Sequence, residues 1–338
     1  MTEKLRVGIY GASGYTGWEL VRLLVKHPLV DIVFATARTY AGQSLRSLDP
    51  LCPDLPLIAE EQADLSKVDA VFLCLPHTAA ANTAAQALQA GVKVIDLSAD
   101  FRLKDPSLYP KWYKYDHPQA HLLPQAVYGL TEIARPNLPG AALVANPGCY
   151  ATAITLALLP AIQAQWAAGT IIADAKSGVS GAGRNPRQDT HFVEAADNLS
   201  PYKIGRSHQH IPEIEQTLRQ VWATTPGLIF SPYLLPVPRG ILATLYVPLT
   251  GQNTLAAVHE CYQQAYANEP CIWLLPPAQV ATLRHANYTN RCVLGLTLVD
   301  NMLIVTSAID NLLKGAAGQA LQNFNLVWGI PETTALPL

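Results

Sequence analysis

The chain has 338 residues, a net charge of −2, 50% hydrophobic residues and only 14% charged ones. Such a length suits about two domains, and the apolar share suits a sizeable buried core. There is no basic block and no apolar run of membrane-spanning length, which excludes nucleic acid as the main partner and excludes a spanning segment.

Residues Met1–Lys4 lead directly into a strand-like run, with no signal-peptide h-region. The cysteines (Cys52, Cys74, Cys149, Cys261, Cys271 and Cys292) are scattered, with neither a C-x-x-C pair nor zinc spacing. That pattern predicts a reduced, cytoplasmic compartment and no metal site.

Leu5 to Tyr10 is an apolar run entering Gly11-Ala12-Ser13-Gly14-Tyr15-Thr16-Gly17, after which Trp18 to Leu24 has helical spacing and Val30 to Ala35 reads as a strand. Strand, glycine loop, helix and strand make a βαβ unit. The loop is G-x-x-G-x-x-G rather than G-x-G-x-x-G, but its logic is the same: glycines let backbone N–H groups approach a pyrophosphate at a helix N-terminus. An NAD site wants an acid at the end of the second strand. This chain has Ala35-Thr36-Ala37-Arg38-Thr39 instead. Arg38 is either the partner of a 2′-phosphate, favouring NADP, or a solvated surface arginine.

Val68 to Leu75 is predicted as a strand, followed by Pro76-His77-Thr78, a helix to about Ala90, and another strand from Val92 to Leu97. The alternation predicts a doubly wound parallel sheet, with the loops at Gly11, Thr36, Pro76, Ser98 and Asn146 on one edge and Cys149 brought near the cofactor. His77 is a second candidate base or a structural histidine. The DLSADFR stretch, Asp96 to Arg102, either lines a cleft or satisfies backbone groups.

Ala141 to Ala145 reads as a buried strand, Asn146-Pro147-Gly148 as a turn, and Ala151 to Leu159 as a helix that Pro160 stops. Cys149 is therefore expected at a strand-to-helix turn, where the helix N-terminus favours a thiolate and binds a developing oxyanion. The bland alternative is a buried cysteine acting as a small hydrophobe.

Beyond it, Thr170 to Ala175 is a predicted strand, and Lys176 to Arg184 (KSGVSGAGR) is either an anion-binding loop or a flexible connection. In the stretch around His208-Gln209-His210-Ile211-Pro212-Glu213, Pro212 marks a helix start. His210 is then a loop residue just before that helix, with Glu213 close enough to orient it. His208 and His210 lack a third ligand of fitting spacing for a metal. Leu228 to Val237, Ile241 to Leu249, Cys292 to Val299 and Met302 to Ile309 are predicted strands, with a helix near Leu255 to Ala267. They suggest a largely antiparallel sheet with one face available for subunit contact. Asp310 to Leu321 is a predicted final helix with small residues on one face. A dinucleotide loop with a cysteine at a helix start suggests interconversion of a thioester and an aldehyde by hydride transfer.

GASGYTG (Gly11 to Gly17), NPGCY (Asn146 to Tyr150), SGVSGAGR (Ser177 to Arg184), HQHIPE (His208 to Glu213) and DNLLKGAAGQ (Asp310 to Gln319) together resemble the N-acetyl-gamma-glutamyl-phosphate reductases of arginine biosynthesis. The resemblance runs in order from about residue 5 to residue 325. The broader family includes aspartate-semialdehyde dehydrogenase. It implies an α/β fold: a Rossmann domain (1–148 and 311–338) whose last helix comes from the C-terminus, and an α+β catalytic and oligomerisation domain (149–310) with a mostly antiparallel sheet. It implies NADPH-dependent reduction of N-acetyl-glutamyl 5-phosphate, a small-molecule acyl phosphate, to the semialdehyde, by a homodimer or homotetramer.

Cys149 matches the nucleophile, and His210 the acid/base, with Glu213 beside it. Gly11, Ser13, Gly14, Tyr15, Thr16, Gly17, Arg38, Pro76, Ser180, Gly181 and Asn311 are implied at the cofactor, and Arg102, Ser177 and Arg239 at the substrate. The nearest rival is aspartate-semialdehyde dehydrogenase or a lysine-pathway reductase acting on a longer acyl phosphate.

Overall fold

The computed structural model describes residues 4–338, so Met1–Glu3, the start of the expected cofactor domain, lie outside the described residues. The chain divides into two compact units, one running through Pro147 and resuming at Ala316–Pro337, the other comprising Gly148–Gly315. The return to the first unit comes later than residue 311, because Asp310, Asn311 and Gly315 have their partners inside the second.

The first unit carries strands β1 (Leu5–Tyr10), β2 (Val30–Thr36), β3 (Leu57–Ile58), β4 (Ala70–Leu73), β5 (Lys93–Asp96), β6 (Val127–Tyr128) and β7 (Leu143–Ala145). They form one sheet in the order β3-β2-β1-β4-β5-β7-β6, every pair parallel. β1, β4, β5 and β7 are buried along most of their length, as strands covered on both faces must be. The order reverses between β1 and β4, which makes that crevice the switch point where open α/β sheets take ligands. The loops after β1, β2, β4, β5 and β7 share its carboxyl edge.

The helix Gly318–Val327 packs against the helix Tyr15–Leu24 and against β5. Its buried face is rich in amides rather than purely apolar. Asn323 donates to the Gly129 carbonyl (2.7 Å) and to Asn146 Oδ1 (3.1 Å) and accepts from Thr131 (2.8 Å), while Asn325 meets His27 at 3.1 Å. Buried amides are costly unless matched, so these bonds give the helix one docking register on a sheet formed far earlier in the chain.

The second unit carries β8 (Ile171–Gly178), β9 (Ser200–Pro201), β10 (Leu228–Leu235), β11 (Ile241–Pro248), β12 (Ile272–Leu274), β13 (Cys292–Val299) and β14 (Met302–Ile309). The sheet order is β12-β13-β14-β11-β8-β10-β9. It is mostly antiparallel, but β8 with β10 and β12 with β13 run parallel. β8 and β11 alternate between buried and less buried positions, so one face packs on a core while the other, with Ile172 and Ile229, is open. β8 runs on to Gly178, so the first residues of the predicted Lys176 loop are strand.

The buried helix Cys149–Gln163 covers the packed face of this sheet. It does not stop at Pro160 but continues through it. Proline lacks an N–H and leaves the carbonyl four residues earlier without its helical donor. That carbonyl is Leu156's, and the Tyr266 hydroxyl donates to it; Tyr262 donates to Ala157 O at 2.7 Å. The helix Leu255–Ala265 and the residue after it thus replace the missing backbone bond from outside. Tyr266→Phe should therefore destabilise the chain by about 1–3 kcal/mol, the cost of a buried unmatched carbonyl. Tyr262→Phe should cost less, because Ala161 still has an amide to offer. Urea unfolding of the two variants measures the difference.

Candidate active site

Cys149 is the first residue of the helix Cys149–Gln163, and Gly148, in extended conformation (φ −69°, ψ 150°), precedes it with no side chain capping the helix end. The first amides of a helix have no partner within it, and the N-cap residue here supplies no side chain for them. Cys149 is only partly buried, whereas Tyr150 behind it is buried. The other cysteines offer no rival: burial pushes the thiols of Cys52 and Cys261 up, and that of Cys74 up to about 12, while Cys271 and Cys292 are wholly inside.

Two side chains from the helix His210–Val221 address residue 148. Glu213, fully buried, accepts the Gly148 amide on Oε1 at 2.7 Å. A β-carbon built on Gly148 would lie 2.4 Å from His210 Nε2, so only glycine lets the imidazole come this close to the cysteine's neighbour. His210 opens the helix rather than preceding it as a loop residue. His208 explains the difference, because its Nδ1 accepts the His210 amide at 3.1 Å and so caps the first turn.

His208 itself sits among Tyr150, Tyr202, Phe230 and His210, with ring centroids 4.7–5.9 Å away. Burial and the nearby Lys203 charge hold its pKa down at about 3, so it stays neutral with its proton on Nε2. Among the described residues, no group of His, Cys, Asp and Glu is placed to hold a metal ion. Tyr202 donates to the Tyr150 hydroxyl at 3.3 Å, and Tyr150 to the Tyr233 carbonyl at 3.3 Å.

Ser177, Ser180, Gly181, Asn311 and Arg239 gather within the second unit. Asn311 donates to Ser180 Oγ at 3.0 Å and accepts from the Gly240 amide at 2.6 Å. A β-carbon on Gly181 would come within 2.8 Å of Ser177 Oγ. Arg239 is already engaged: its guanidinium pairs with the buried Asp310 at 2.8 and 2.9 Å and lies over the Tyr288 ring. Gly315, read from sequence only as a small residue in a helix, packs on the cysteine: a β-carbon there would lie 2.9 Å from Cys149 Cβ.

The first unit holds the remaining candidates. Gly11 has φ +78°, and an added β-carbon would meet the Cys74 carbonyl at 2.4 Å; on Gly17 it would meet the Gly11 carbonyl at 2.6 Å. Gly14 differs, since its nearest atom would be the Gly11 carbonyl at 3.7 Å. Its missing side chain leaves an open cradle at the start of the helix Tyr15–Leu24, which has neither a side-chain cap nor an acid in its first turn. Those features fit a dinucleotide pyrophosphate.

Thr36, at the end of β2, accepts the Gly11 amide on Oγ1 (3.2 Å) and the Ala12 amide on its carbonyl (2.9 Å). It holds the loop from the position where an NAD enzyme carries its acid, a role the sequence reading missed. Arg38, two positions on, is exposed. Arg102 is buried and donates to the carbonyls of Asn146 (2.8 Å) and Leu97 (2.9 Å). Of the two readings of the DLSADFR stretch, backbone satisfaction is the one these bonds support.

A parallel dinucleotide-type sheet joined to a unit whose helix begins on a cysteine defines the semialdehyde dehydrogenase class. Residues 6–141 match the family model for the semialdehyde dehydrogenase NAD binding domain, and residues 149–311 that for the dimerisation domain. The N-acetyl-gamma-glutamyl-phosphate reductase of Symbiobacterium thermophilum is 44% identical, with 98% of this chain and 97% of the relative covered. That of Moorella thermoacetica is 43% identical over 98% of both chains. The chain belongs to the N-acetyl-gamma-glutamyl-phosphate reductase family. Among solved structures, aspartate semialdehyde dehydrogenase II from Vibrio cholerae has a TM-score of 0.74 at 20% identity, covering 96% of this chain and 98% of that one. Aspartate semialdehyde dehydrogenase with NADP from Candida albicans has a TM-score of 0.66 at 15% identity, covering 96% and 98%. At those identities the likeness is one of fold.

Gly148→Ala should displace the His210 ring and lower kcat by about a hundredfold or more, given how steeply catalysis depends on ångström-scale placement, while circular dichroism stays unchanged. The native site leaves His208 unprotonated between about 3 and 6.5, where the unfolded chain binds the proton. This residue's contribution is therefore present above 6.5 and is lost as pH falls through that window. The stability gap between the wild type and His208→Gln should widen as pH rises from 3 to 6.5 and then level off, as read by denaturant melts.

Proposed function

We propose that the chain reduces N-acetyl-L-glutamyl 5-phosphate to N-acetyl-L-glutamate 5-semialdehyde and phosphate, with NADPH as reductant, in arginine biosynthesis. The observation that carries this reading is the convergence of His210 and Glu213 on Gly148, the residue before Cys149.

The Cys149 sulfur, as thiolate, attacks the acyl carbon; the C–S bond forms, the C–O bond to phosphate breaks, and inorganic phosphate leaves. His210 takes the thiol proton and keeps the thiolate poised. The amides at the helix end stabilise the oxyanion of each tetrahedral intermediate, helped by the helix dipole. NADPH, when bound, supplies the hydride that reduces the thioester carbon. The resulting hemithioacetal oxyanion then re-forms a carbonyl and expels the Cys149 thiolate, to which His210 returns the proton it took at the start.

Glu213 orients the machinery by fixing the Gly148 amide, and Gly148 gives His210 its access. The Gly11–Gly17 loop, with Ser13, Tyr15 and Thr16, would hold the pyrophosphate, and Arg38 the 2′-phosphate. Ser177, with Arg184 at the end of its turn, is assigned to the anionic substrate. Arg102 and Arg239, already bonded to carbonyls and to Asp310, act in this reading by shaping the loops around them.

The rival substrates are an aspartyl phosphate or a longer lysine-pathway acyl phosphate. The 42–44% identical relatives that carry the N-acetyl-gamma-glutamyl-phosphate reductase name favour the first reading. Self-association into a homodimer or homotetramer through the open face of the second sheet also belongs to this proposal, supported by the dimerisation-domain match. So does cytoplasmic residence: all six cysteines are free thiols, and no described helix is long and apolar enough to cross a membrane.

Cys149→Ser should lose reductase activity by several orders of magnitude while keeping NADPH affinity. Wild-type enzyme given acyl phosphate without NADPH should carry an acyl adduct on the Cys149 peptide by mass spectrometry. Full turnover in Cys149→Ser would overturn the thioester route, and faster turnover of aspartyl phosphate would overturn the substrate.

A further inference from the structure

Thr78 is a β-branched residue at φ +78°, a conformation that glycine or asparagine adopts readily and threonine does not. It lies in the exposed turn Pro76–Ala79 just beyond β4. Backbone strain of this kind persists only when its surroundings over-determine it, and here one buried carboxylate does so. Asp100 Oδ1 accepts the Thr78 amide at 2.9 Å and the Tyr115 hydroxyl at 2.7 Å, and Oδ2 accepts the Ala81 amide at 3.0 Å. One carboxylate thus caps the helix Ala80–Gln89, which has no cap of its own, and locks the strained turn before it.

Asp100 is itself held in place. Its amide donates to Ser98 Oγ (3.0 Å), and its carbonyl accepts from the Tyr109 hydroxyl (2.6 Å) and meets His117 Nε2 (2.5 Å). The preceding residue secures the other end of the turn, since the Ala99 amide donates to His77 Nδ1 at 3.1 Å. Such an investment in an exposed turn needs a reason beyond packing, and its position supplies one. β1 and β4 flank the switch point, and the segment leaving β4 lies against the glycine loop: the Cys74 carbonyl fills the space where Gly11 would carry a side chain.

We propose that Asp100 is a positioning residue for the dinucleotide, holding the Pro76–Ala79 turn in its strained form as the second wall of the crevice beside the Gly11–Gly17 loop. The proposal rests on the NADPH reading above and adds to it a residue that never touches the cofactor. It also gives the DLSADFR stretch and His77 a common purpose: together they fix the shape of the sheet edge.

The test uses the full chain and two readouts, the NADPH Kd from fluorescence titration and amide hydrogen exchange over residues 76–81 without cofactor. Asp100→Asn presents a donor to at least one of the amides it should accept. It is expected to raise Kd about tenfold and to speed exchange of the turn. Thr78→Pro, which has no amide and cannot adopt a positive φ, should do the same from the exposed side without entering the core. The double variant should be no worse than the worse single one, because both break the same link.

Wild-type Kd in either folded variant, or fully multiplicative penalties, overturns the proposal. Where Asp100→Asn does not fold, Thr78→Pro decides alone. A wild-type chain that does not bind NADPH overturns the cofactor reading and this proposal with it. Binding by the wild type with unchanged variants overturns the proposal alone.

Discussion

The bond from the Gly148 amide to Glu213 is the constraint on which the geometry around Cys149 depends. Gly148 is the last residue before a long buried helix, and a carboxylate wholly inside the protein holds its N–H at 2.7 Å. That bond sets the helix Cys149–Gln163 against the helix His210–Val221 at the point where the thiol begins. The same glycine, by having no side chain, admits the His210 ring. The Cys149 thiol, the His210 imidazole and the amides that open the helix are thus brought together around one backbone position and one turn of a neighbouring helix. In the proposed reaction, such an arrangement leaves little to reorganise as charge develops.

Burial sorts the polar groups around this point into roles. His208 lies beside His210, yet its environment keeps it neutral and its ring nitrogen accepts the first amide of the neighbouring helix. Arg239 looks like an anion holder, yet Asp310 already pairs with it, and the same carboxylate takes the amides of Tyr288, Leu312 and Leu313. Arg102 braces the carbonyls that end two parallel strands. In the first unit the C-terminal helix is held by side-chain amides, which give direction to a contact that apolar packing would leave free to slide.

Much of this is legible in the sequence. The glycine loop announced a dinucleotide crevice because a close backbone approach admits few other residues, and the parallel strands read as continuous apolar runs because they are covered on both faces. Asn-Pro-Gly before Cys149 marked the turn, and Pro212 marked a helix start. The errors have physical causes. Proline at 160 was expected to end a helix, but the hydroxyl that rescues its orphaned carbonyl comes from Tyr266, far along the chain. His210 was placed outside its helix because a cap supplied by histidine rather than Ser, Thr, Asp or Asn has no common signature. Thr36 went unnoticed as a loop anchor because threonine ends many strands.

The sequence alone carried the fold class: which residues form the glycine turn after the first strand, which cysteine begins a helix, and where parallel strands alternate with helices. These are local properties, set by backbone permissiveness and by short-range periodicity. Tertiary structure alone decided which polar groups are available and which are already engaged. Asp100 beneath Thr78, Asp310 beside Arg239 and Glu213 on Gly148 are partnerships between residues distant in the chain. No local pattern encodes them, because a buried charge finds its partner only after the chain has closed around it.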